Sequence, residues 1–129
     1  MFTPEQLTES MPFARTAGVA ITAASPEEVR ASMAWQEDRC TVGGTLHGGA
    51  LVTLADSAGA VCAFLNLPEG AKGTSTIETK TNLFRAARSD VEAVARPLHI
   101  GSTTIVVQTD LYADGKRVAQ TTQTQMVLR

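Results

Sequence analysis

The spacing of apolar and polar residues predicts one short helix and two strands in the first part of the chain. The segment Pro4–Met11 follows a threonine that can cap a helix and carries an acid in its first turn, which predicts a short helix that Pro12 ends. Between Gly18 and Trp35, β-branched and apolar residues in short runs are interrupted by the turn-like Ser25–Glu28. This pattern predicts a pair of strands joined by a loop.

The most apolar stretch, GTLHGGALVTLADSAGAVCAFL, covers Gly44–Leu65 and follows a polar, glycine-rich loop over 36–44. It is too long for an ordinary strand, rich in alanine and leucine, and stopped by Asn66–Gly70, so it predicts a helix over about His47 to Leu65. Its apolar residues occur on all sides, which is typical of a helix that is buried on most of its circumference.

After Gly73 the sequence turns to threonine, valine and period-two alternation, which predicts four strands. They cover Thr74–Ala87, Val91–Ile100, Thr103–Tyr112 and Arg117–Leu128. Asp114-Gly115 predicts a tight hairpin between the last two, and consecutive strands are expected to pair antiparallel in a meander. The predicted fold class is α+β, a curved antiparallel sheet wrapped around one long helix, in a single domain over residues 1–129.

Composition and charge narrow the possible partners. The chain has 129 residues, 43% of them hydrophobic, and a net charge of −2 without a basic stripe, which argues against a nucleic-acid partner. The glycines, His47 and Asp56 inside the apolar run argue against a membrane span. The polar N-terminus lacks the pattern of a signal peptide, so we expect a cytoplasmic protein. Cys40 and Cys62 are expected to be free thiols, although the sequence alone leaves a disulfide open.

Two features of the predicted long helix are candidates for chemistry. Asp56 is a lone carboxylate among apolar residues, and such a group finds hydrogen-bond partners, takes up a proton, or faces a wet cleft. His47-Gly48-Gly49 lies where the helix begins, and its first N–H groups suit an anionic or polarised oxygen. The structural alternatives are an Asp56 that only caps a loop or accepts hydrogen bonds from a neighbouring strand, and glycines that only serve a tight turn while His47 packs or caps the helix.

The spacing of these features predicts a shared site. Nine residues of helix separate His47 from Asp56, which is half a turn beyond two full ones and a rise of about 13.5 Å. The two side chains should therefore face opposite sides, too far apart to act on one carbonyl group. If both are functional, one subunit supplies His47 and Gly48 and another supplies Asp56, and a symmetric dimer would then contain two such sites.

The motif His47-Gly48-Gly49, six residues and Asp56 resembles that of the hotdog-fold acyl-CoA thioesterases, in the branch of the phenylacetate-degradation enzymes within the 4-hydroxybenzoyl-CoA thioesterase superfamily. The segments TIETKTNLFRAA, from Thr76 on, and ARPLHIGSTTIVVQTDLYADGKRVAQTTQTQMVL are also similar to the family, and the resemblance covers about 18–128. It implies the fold predicted above, a homo-oligomer that is a dimer or a dimer of dimers, a site at a subunit interface, and an acyl-CoA substrate.

The resemblance also implies roles for single residues. Asp56 would be the nucleophile or the base that activates water, the Gly48 N–H would polarise the thioester oxygen, His47 would orient that oxygen or its loop, and Thr76 would help to hold the water. A thioester has a good leaving group, so a carboxylate and an oxyanion donor suffice. We expect no metal and no cofactor, because no histidine lies at ligand spacing from a cysteine or an acid.

Substrate-binding residues are expected around this core. They are Gly49, Thr41, Asn82, Arg85 and Arg88. Thr41 stands six residues before His47, where the family commonly has Asn or Gln, and this departure leaves the polar partner of the thioester open. Arg85 and Arg88 would meet the phosphates of coenzyme A, or are ordinary surface arginines.

The sequence leaves two further questions open. Phe64, Met33, Leu83 and Phe84 are candidates to line an acyl pocket, but they do not define the acyl group. The alternative functions are a non-catalytic acyl or acyl-CoA binding module, and a dehydratase or hydratase of the same fold.

Overall fold

The computed structural model describes all 129 residues, which form three helices, a short 3₁₀ turn and one six-stranded sheet. The helices are α1 (Pro4–Glu9), α2 (Pro12–Ala17) and α3 (Gly48–Phe64), and the 3₁₀ turn covers Glu37–Arg39. The strands are β1 (Val19–Ala24), β2 (Val29–Met33), β3 (Gly73–Leu83), β4 (Val91–Ile100), β5 (Thr104–Ala113) and β6 (Lys116–Leu128). The predicted α+β class, with one long helix packed on an antiparallel sheet, is confirmed.

The N-terminal segment contains two helices where the sequence predicts one. Thr3 and Gln6 form a reciprocal capping box at the start of α1, as a threonine cap before Pro4 favours. Pro12 does not simply end this helix but is the first residue of α2, which closes at Gly18 with φ 91°. The prediction was wrong here because a proline that cannot continue one helix is equally well suited to start the next.

The sheet has the order β1-β2-β4-β5-β6-β3, with every neighbouring pair antiparallel. The predicted meander is correct for β4, β5 and β6, including the hairpin at Asp114 and Gly115, which both have positive φ. It is wrong for β3, which pairs with β6 at the far edge instead of with β4. Alternation shows which face of a strand is buried but not which neighbour it takes, because that choice depends on long-range pairing.

The core lies between α3 and the concave face of the sheet. Leu54, Ala55, Ala58, Cys62 and Ala63 of α3 are fully buried, which confirms a helix enclosed on most sides. Apart from Leu54, these side chains are small, which allows the strands to approach the helix closely. The two cysteines are unpaired, and burial raises the pKa of the Cys62 thiol to about 11.

No helix of the protein has both the length and the apolar character needed to cross a membrane.

The edge strand β3 is unusual in its exposure. It has 11 residues, and β6 is its only partner, so the other side of its backbone is unpaired. Ile77 and Leu83 on this strand are 54% and 53% exposed. A long edge strand that carries exposed apolar side chains, and that no helix or loop covers, readily pairs with a strand of another chain.

Candidate active site

A glycine-containing loop delivers the chain to the start of α3. Gly43 and Gly44 have φ values of 84° and 75°, which favour glycine, and the N–H of Thr41 closes the loop on the carbonyl of Thr45. Arg88 donates from Nη1 to the carbonyl of Gly43 at 2.9 Å. Arg88 therefore supports the loop that precedes His47, while the Thr41 side chain is exposed and has no hydrogen-bond partner within the chain.

At the helix start, one backbone donor is left free. His47 is the N-cap: its Nδ1 accepts the Gly49 N–H at 2.8 Å, and its carbonyl accepts the N–H groups of Ala50 and Leu51. The Gly48 N–H has no partner in the chain. Because Nδ1 is an acceptor, the proton of the neutral ring lies on Nε2, and the exposed ring can donate it outward. The positive end of α3 thus presents a free amide donor beside a histidine.

Asp56 lies in the middle of α3 and is partly buried. Its Oδ1 accepts a hydrogen bond from Nε2 of Gln123 at 3.1 Å. Thr76, on β3, accepts a hydrogen bond from Nε2 of Gln125 at 2.6 Å, which leaves its hydroxyl free to donate. Burial raises the pKa of Asp56, and the hydrogen-bonding influence of Gln123 and Thr76 only partly opposes that rise.

The sequence reasoning missed Gln123 and Gln125. Both lie on the inward face of β6 and are 0% and 1% exposed. Their signal was available, because the inward positions Thr121, Gln123 and Gln125 are polar where a strand that covers a core is expected to be apolar. Buried polar residues in a regular pattern require partners, and here those partners are the two predicted site residues on α3 and β3.

The two halves of the predicted site lie at opposite ends of β3. Asp56 and Thr76 are brought together near its beginning. At its other end, a Cβ atom on Gly48 would lie 3.0 Å from Cδ1 of Leu83, the last residue of the strand. Within one chain, therefore, His47 and Gly48 do not meet Asp56, as the half-turn spacing predicts. Asn82 is exposed at the Gly48 end, where it pairs with Gln120 of β6.

An apolar cavity of about 440 Å³ begins one helical turn beyond Asp56. It is lined by Phe2, Gln6, Leu7, Ser10, Met11, Ala60, Val61, Phe64 and Thr74. Ala60 shares the helix face of Asp56, and Thr74 precedes Thr76 by two residues on the same face of β3. Of the pocket candidates from the sequence, Phe64 lines this cavity, whereas Met33 was a wrong choice because it is fully buried in the core.

Two further cavities lie toward the Gly48 end. One of about 470 Å³ is lined by polar and apolar groups that include His47, Gly49, Arg39 and Thr53. The other, of about 410 Å³, is lined by Phe84, Arg85, Lys116 and Arg117. Arg85 thus belongs to a cationic cluster. No group of three or more histidine, cysteine or acidic side chains is placed to hold a metal ion.

The antiparallel sheet packed against one long central helix is the hotdog fold. The sequence profile of the thioesterase superfamily matches residues 43–120, and the chain belongs to that superfamily. The matched residues include both the His47 motif and Asp56.

Curated relatives and solved structures agree with this membership. The 1,4-dihydroxy-2-naphthoyl-CoA hydrolase of Escherichia coli is 40% identical over 76 residues, which are 58% of this chain and 55% of that protein. A relative from Deinococcus radiodurans is 37% identical over 97 residues, 74% of this chain and 63% of its own length. The matched part therefore spans a little more than half of these relatives.

The fold comparison extends over almost the whole chain. A thioesterase of Haemophilus influenzae superposes with a TM-score of 0.92 at 28% identity, covering 100% of this chain and 92% of that one. The phenylacetic acid degradation protein PaaI of Thermus thermophilus gives a TM-score of 0.83 at 28% identity, covering 92% of this chain and 100% of that one. Both have the hotdog arrangement described above.

Proposed function

We propose that this protein is an acyl-CoA thioesterase that hydrolyses an acyl-CoA thioester to the free acid and coenzyme A. The observation that carries the proposal is a pair of groups: the free Gly48 N–H at the positive end of α3, and the Asp56 carboxylate held by Gln123. Thioester hydrolysis needs these two things, a donor for the developing oxyanion and a nucleophile or base.

The two groups would meet across a twofold axis. The free side of β3 can pair antiparallel with β3 of a second copy, and an axis midway between Thr76 and Leu83 brings the Leu83 end of each strand to the Thr76 end of the other. Gly48 lies beside Leu83, and Asp56 lies beside Thr76. Each Gly48 is then carried to the Asp56 of the partner subunit, and the exposed Ile77 is covered.

In this site the thioester oxygen would accept a hydrogen bond from the Gly48 N–H, with the Nε2–H of His47 as a second donor. Asp56 would either attack the carbonyl carbon or take a proton from a water held with Thr76. If Asp56 attacks, the tetrahedral oxyanion collapses to expel the thiolate of coenzyme A and leaves an acyl–Asp56 anhydride, which a water then hydrolyses to the free acid. If Asp56 acts as base, the water oxygen bonds to the carbonyl carbon, and the oxyanion collapses to the free acid as the thiolate leaves and takes up the proton held by Asp56. In both roles the Asp56 carboxylate must be ionised, and the side-chain amide of Gln123 and the hydroxyl of Thr76 favour the ionised form.

The acyl group would enter the apolar cavity beyond Asp56. Its volume of about 440 Å³ is within the usual range of small-molecule pockets, and the rings of Phe2 and Phe64 meet there at a centroid distance of 5.9 Å. An aromatic lining favours an aryl acyl group, in keeping with the naphthoyl substrate in the name of the Escherichia coli relative. Ala60→Leu, which fills the cavity, should lower kcat/KM for aryl substrates more than for acetyl-CoA.

Coenzyme A would bind at the Gly48 end, where the cationic cluster of Arg85, Lys116 and Arg117 can meet its phosphates. Gly49, next to Gly48, and Asn82, next to Leu83, would contact the part of coenzyme A between this cluster and the carbonyl group. Thr41 is exposed in the loop before His47 and could contact the pantetheine arm, while Arg88 would act by supporting the same loop.

The primary test is turnover of a panel of aryl and straight-chain acyl-CoAs, followed by thiol release, for the wild type and Asp56→Asn. We expect a fall of at least about 10²-fold in kcat for the variant with the oligomer intact. Binding of acyl-CoA without turnover by the wild type would instead identify a non-catalytic binding module. Conversion of enoyl or hydroxyacyl thioesters without thiol release would identify a hydratase or dehydratase.

The shared site has its own test. A heterodimer of one Asp56→Asn chain and one Gly48→Pro chain, purified through two different tags, should contain one intact site and keep about half of the wild-type rate. Each variant homodimer should be nearly inactive. A heterodimer as inactive as the two homodimers would place Gly48 and Asp56 of the same chain in one site and refute the twofold arrangement.

A further inference from the structure

We propose that Gln123 is a positioning residue that holds the Asp56 carboxylate in its reactive orientation, a role that rests on the proposed function of Asp56. Gln123 lies on the inward face of β6 and is fully buried. Its Nε2 donates to Oδ1 of Asp56 at 3.1 Å. Because the amide holds only this oxygen, it fixes the rotation of the carboxylate and leaves Oδ2 for the substrate or water.

The amide oxygen of Gln123 argues against a purely structural role for this side chain. Oε1 is buried and has no hydrogen-bond partner. A buried, unpaired carbonyl oxygen costs free energy, and an apolar side chain of the same length would avoid that cost. A residue selected only for packing would therefore be a methionine or leucine, so we infer that the glutamine is retained for its donor.

Gly59 supplies the space that this amide occupies. It lies in α3, three residues after Asp56, and a Cβ atom there would lie 1.7 Å from Oε1 and 2.6 Å from Cδ of Gln123. Glycine in the interior of a helix is unfavourable relative to alanine. Gly59, although it is a weak helix former, therefore lies where the methyl group of an alanine would displace the Gln123 amide from Asp56.

The amide also favours the reactive, ionised form of the carboxylate. Burial raises the pKa of Asp56, and Gln123 is the larger of the two groups that lower it, with Thr76 the other. No charged side chain of this chain contributes to that pKa. Removal of the Gln123 donor should therefore raise the pKa of Asp56 further, which would not follow from a loss of packing alone.

The test is Gln123→Met, which keeps the length of the side chain and removes the donor. We expect kcat to fall by about 10- to 100-fold with KM changed by less than about threefold, because the carboxylate is misplaced while substrate binding is kept. The acidic limb of the kcat/KM profile should move to higher pH. The matched control is Thr121→Val, on the same strand and face, which breaks a buried hydrogen bond to Thr81 and should leave that limb in place.

Gly59→Ala is the second variant, because it displaces the amide while leaving Gln123 chemically intact. Gly59→Ala should move the acidic limb of the kcat/KM profile in the same direction as Gln123→Met. If Gln123→Met does not fold, Gly59→Ala alone tests the positioning role. In an Asp56→Asn background, Gln123→Met should change the residual rate by less than about twofold, since no ionised carboxylate remains to be oriented.

The outcomes separate the two proposals. Wild-type kcat and an unshifted pH profile in both Gln123→Met and Gly59→Ala, with Asp56→Asn inactive, would overturn the positioning role alone. Wild-type turnover in Asp56→Asn would overturn the catalytic assignment of Asp56, and the positioning role with it.

Discussion

The Gly48 N–H can be removed with little change to the rest of the protein, and this makes it the sharpest prediction. Gly48 is the first residue of α3, where proline is well tolerated because its missing N–H would have no helical partner. His47 has φ −58° and ψ 136°, which lies in the extended region that suits a residue before proline. Gly48→Pro therefore deletes one donor without breaking a hydrogen bond of the fold.

A matched variant isolates the donor. Gly48→Ala keeps the N–H and adds the same Cβ atom, which in both variants would lie 3.0 Å from Cδ1 of Leu83, the end of a flexible side chain. Loss of one oxyanion donor typically lowers kcat by about 10²- to 10³-fold, or about 3 to 4 kcal/mol of transition-state stabilisation. We expect that difference between the proline and alanine variants, with KM similar.

The assay is initial-rate thiol release with a good acyl-CoA substrate, together with thermal unfolding of both variants. The free energies of unfolding should agree within about 1 kcal/mol, since proline at this helical position costs little. Equal kcat for the proline and alanine variants would refute the role of the Gly48 N–H, whatever the wild-type rate. A proline variant whose melting temperature lies far below that of the alanine variant would show that the Gly48 N–H stabilises the fold, and would refute the premise that it makes no hydrogen bond within the chain.

Three further predictions address pH, assembly and the thiols. Because the pKa of Asp56 is raised in the folded state, its contribution to stability is fully present below the pKa of the unfolded chain and is lost as pH rises through the folded pKa. Asp56→Asn should therefore have a higher melting temperature than the wild type near neutral pH, and the difference between the two melting temperatures should shrink in acid. Differential scanning fluorimetry across pH measures this difference, and a constant difference would contradict the prediction. Ile77→Asp, on the exposed edge strand, should convert the proposed dimer to monomer and abolish turnover together, as measured by light scattering and thiol release. Leu98→Asp, at a similarly exposed apolar position on β4, should do neither. Since the pKa of Cys62 is raised to about 11, a maleimide at neutral pH should label Cys40 well before Cys62, and equal labelling of the folded protein would contradict the burial of Cys62.

Some elements were predictable because their cause is local. The cap at Thr3 lies within one turn of the residues it serves, and the positive φ values of Asp114 and Gly115 belong to a two-residue turn. The long helix was recognisable because an apolar run with a glycine-rich start and a proline-glycine stop has few other solutions. The half-turn between His47 and Asp56 follows from helix geometry alone.

Other features depend on residues far apart in the sequence. The pairing of β3 with β6 joins Gly73 to Leu128, and no periodicity within β3 distinguishes this partner from β4. Gln123 reaches Asp56 across 67 positions of sequence, so its role is visible only when β6 lies over α3.

The sequence by itself determined the helix, the strands, the candidate chemistry of His47, Gly48 and Asp56, and their separation along α3, because these follow from backbone preferences and helix geometry over short distances. Only the tertiary structure decided that β3 is a free edge with Gly48 at one end and Asp56 at the other, and that two buried glutamines complete the carboxylate site. The physical reason is that strand order and cross-layer hydrogen bonds are set by the packing of distant segments, which local patterns do not encode.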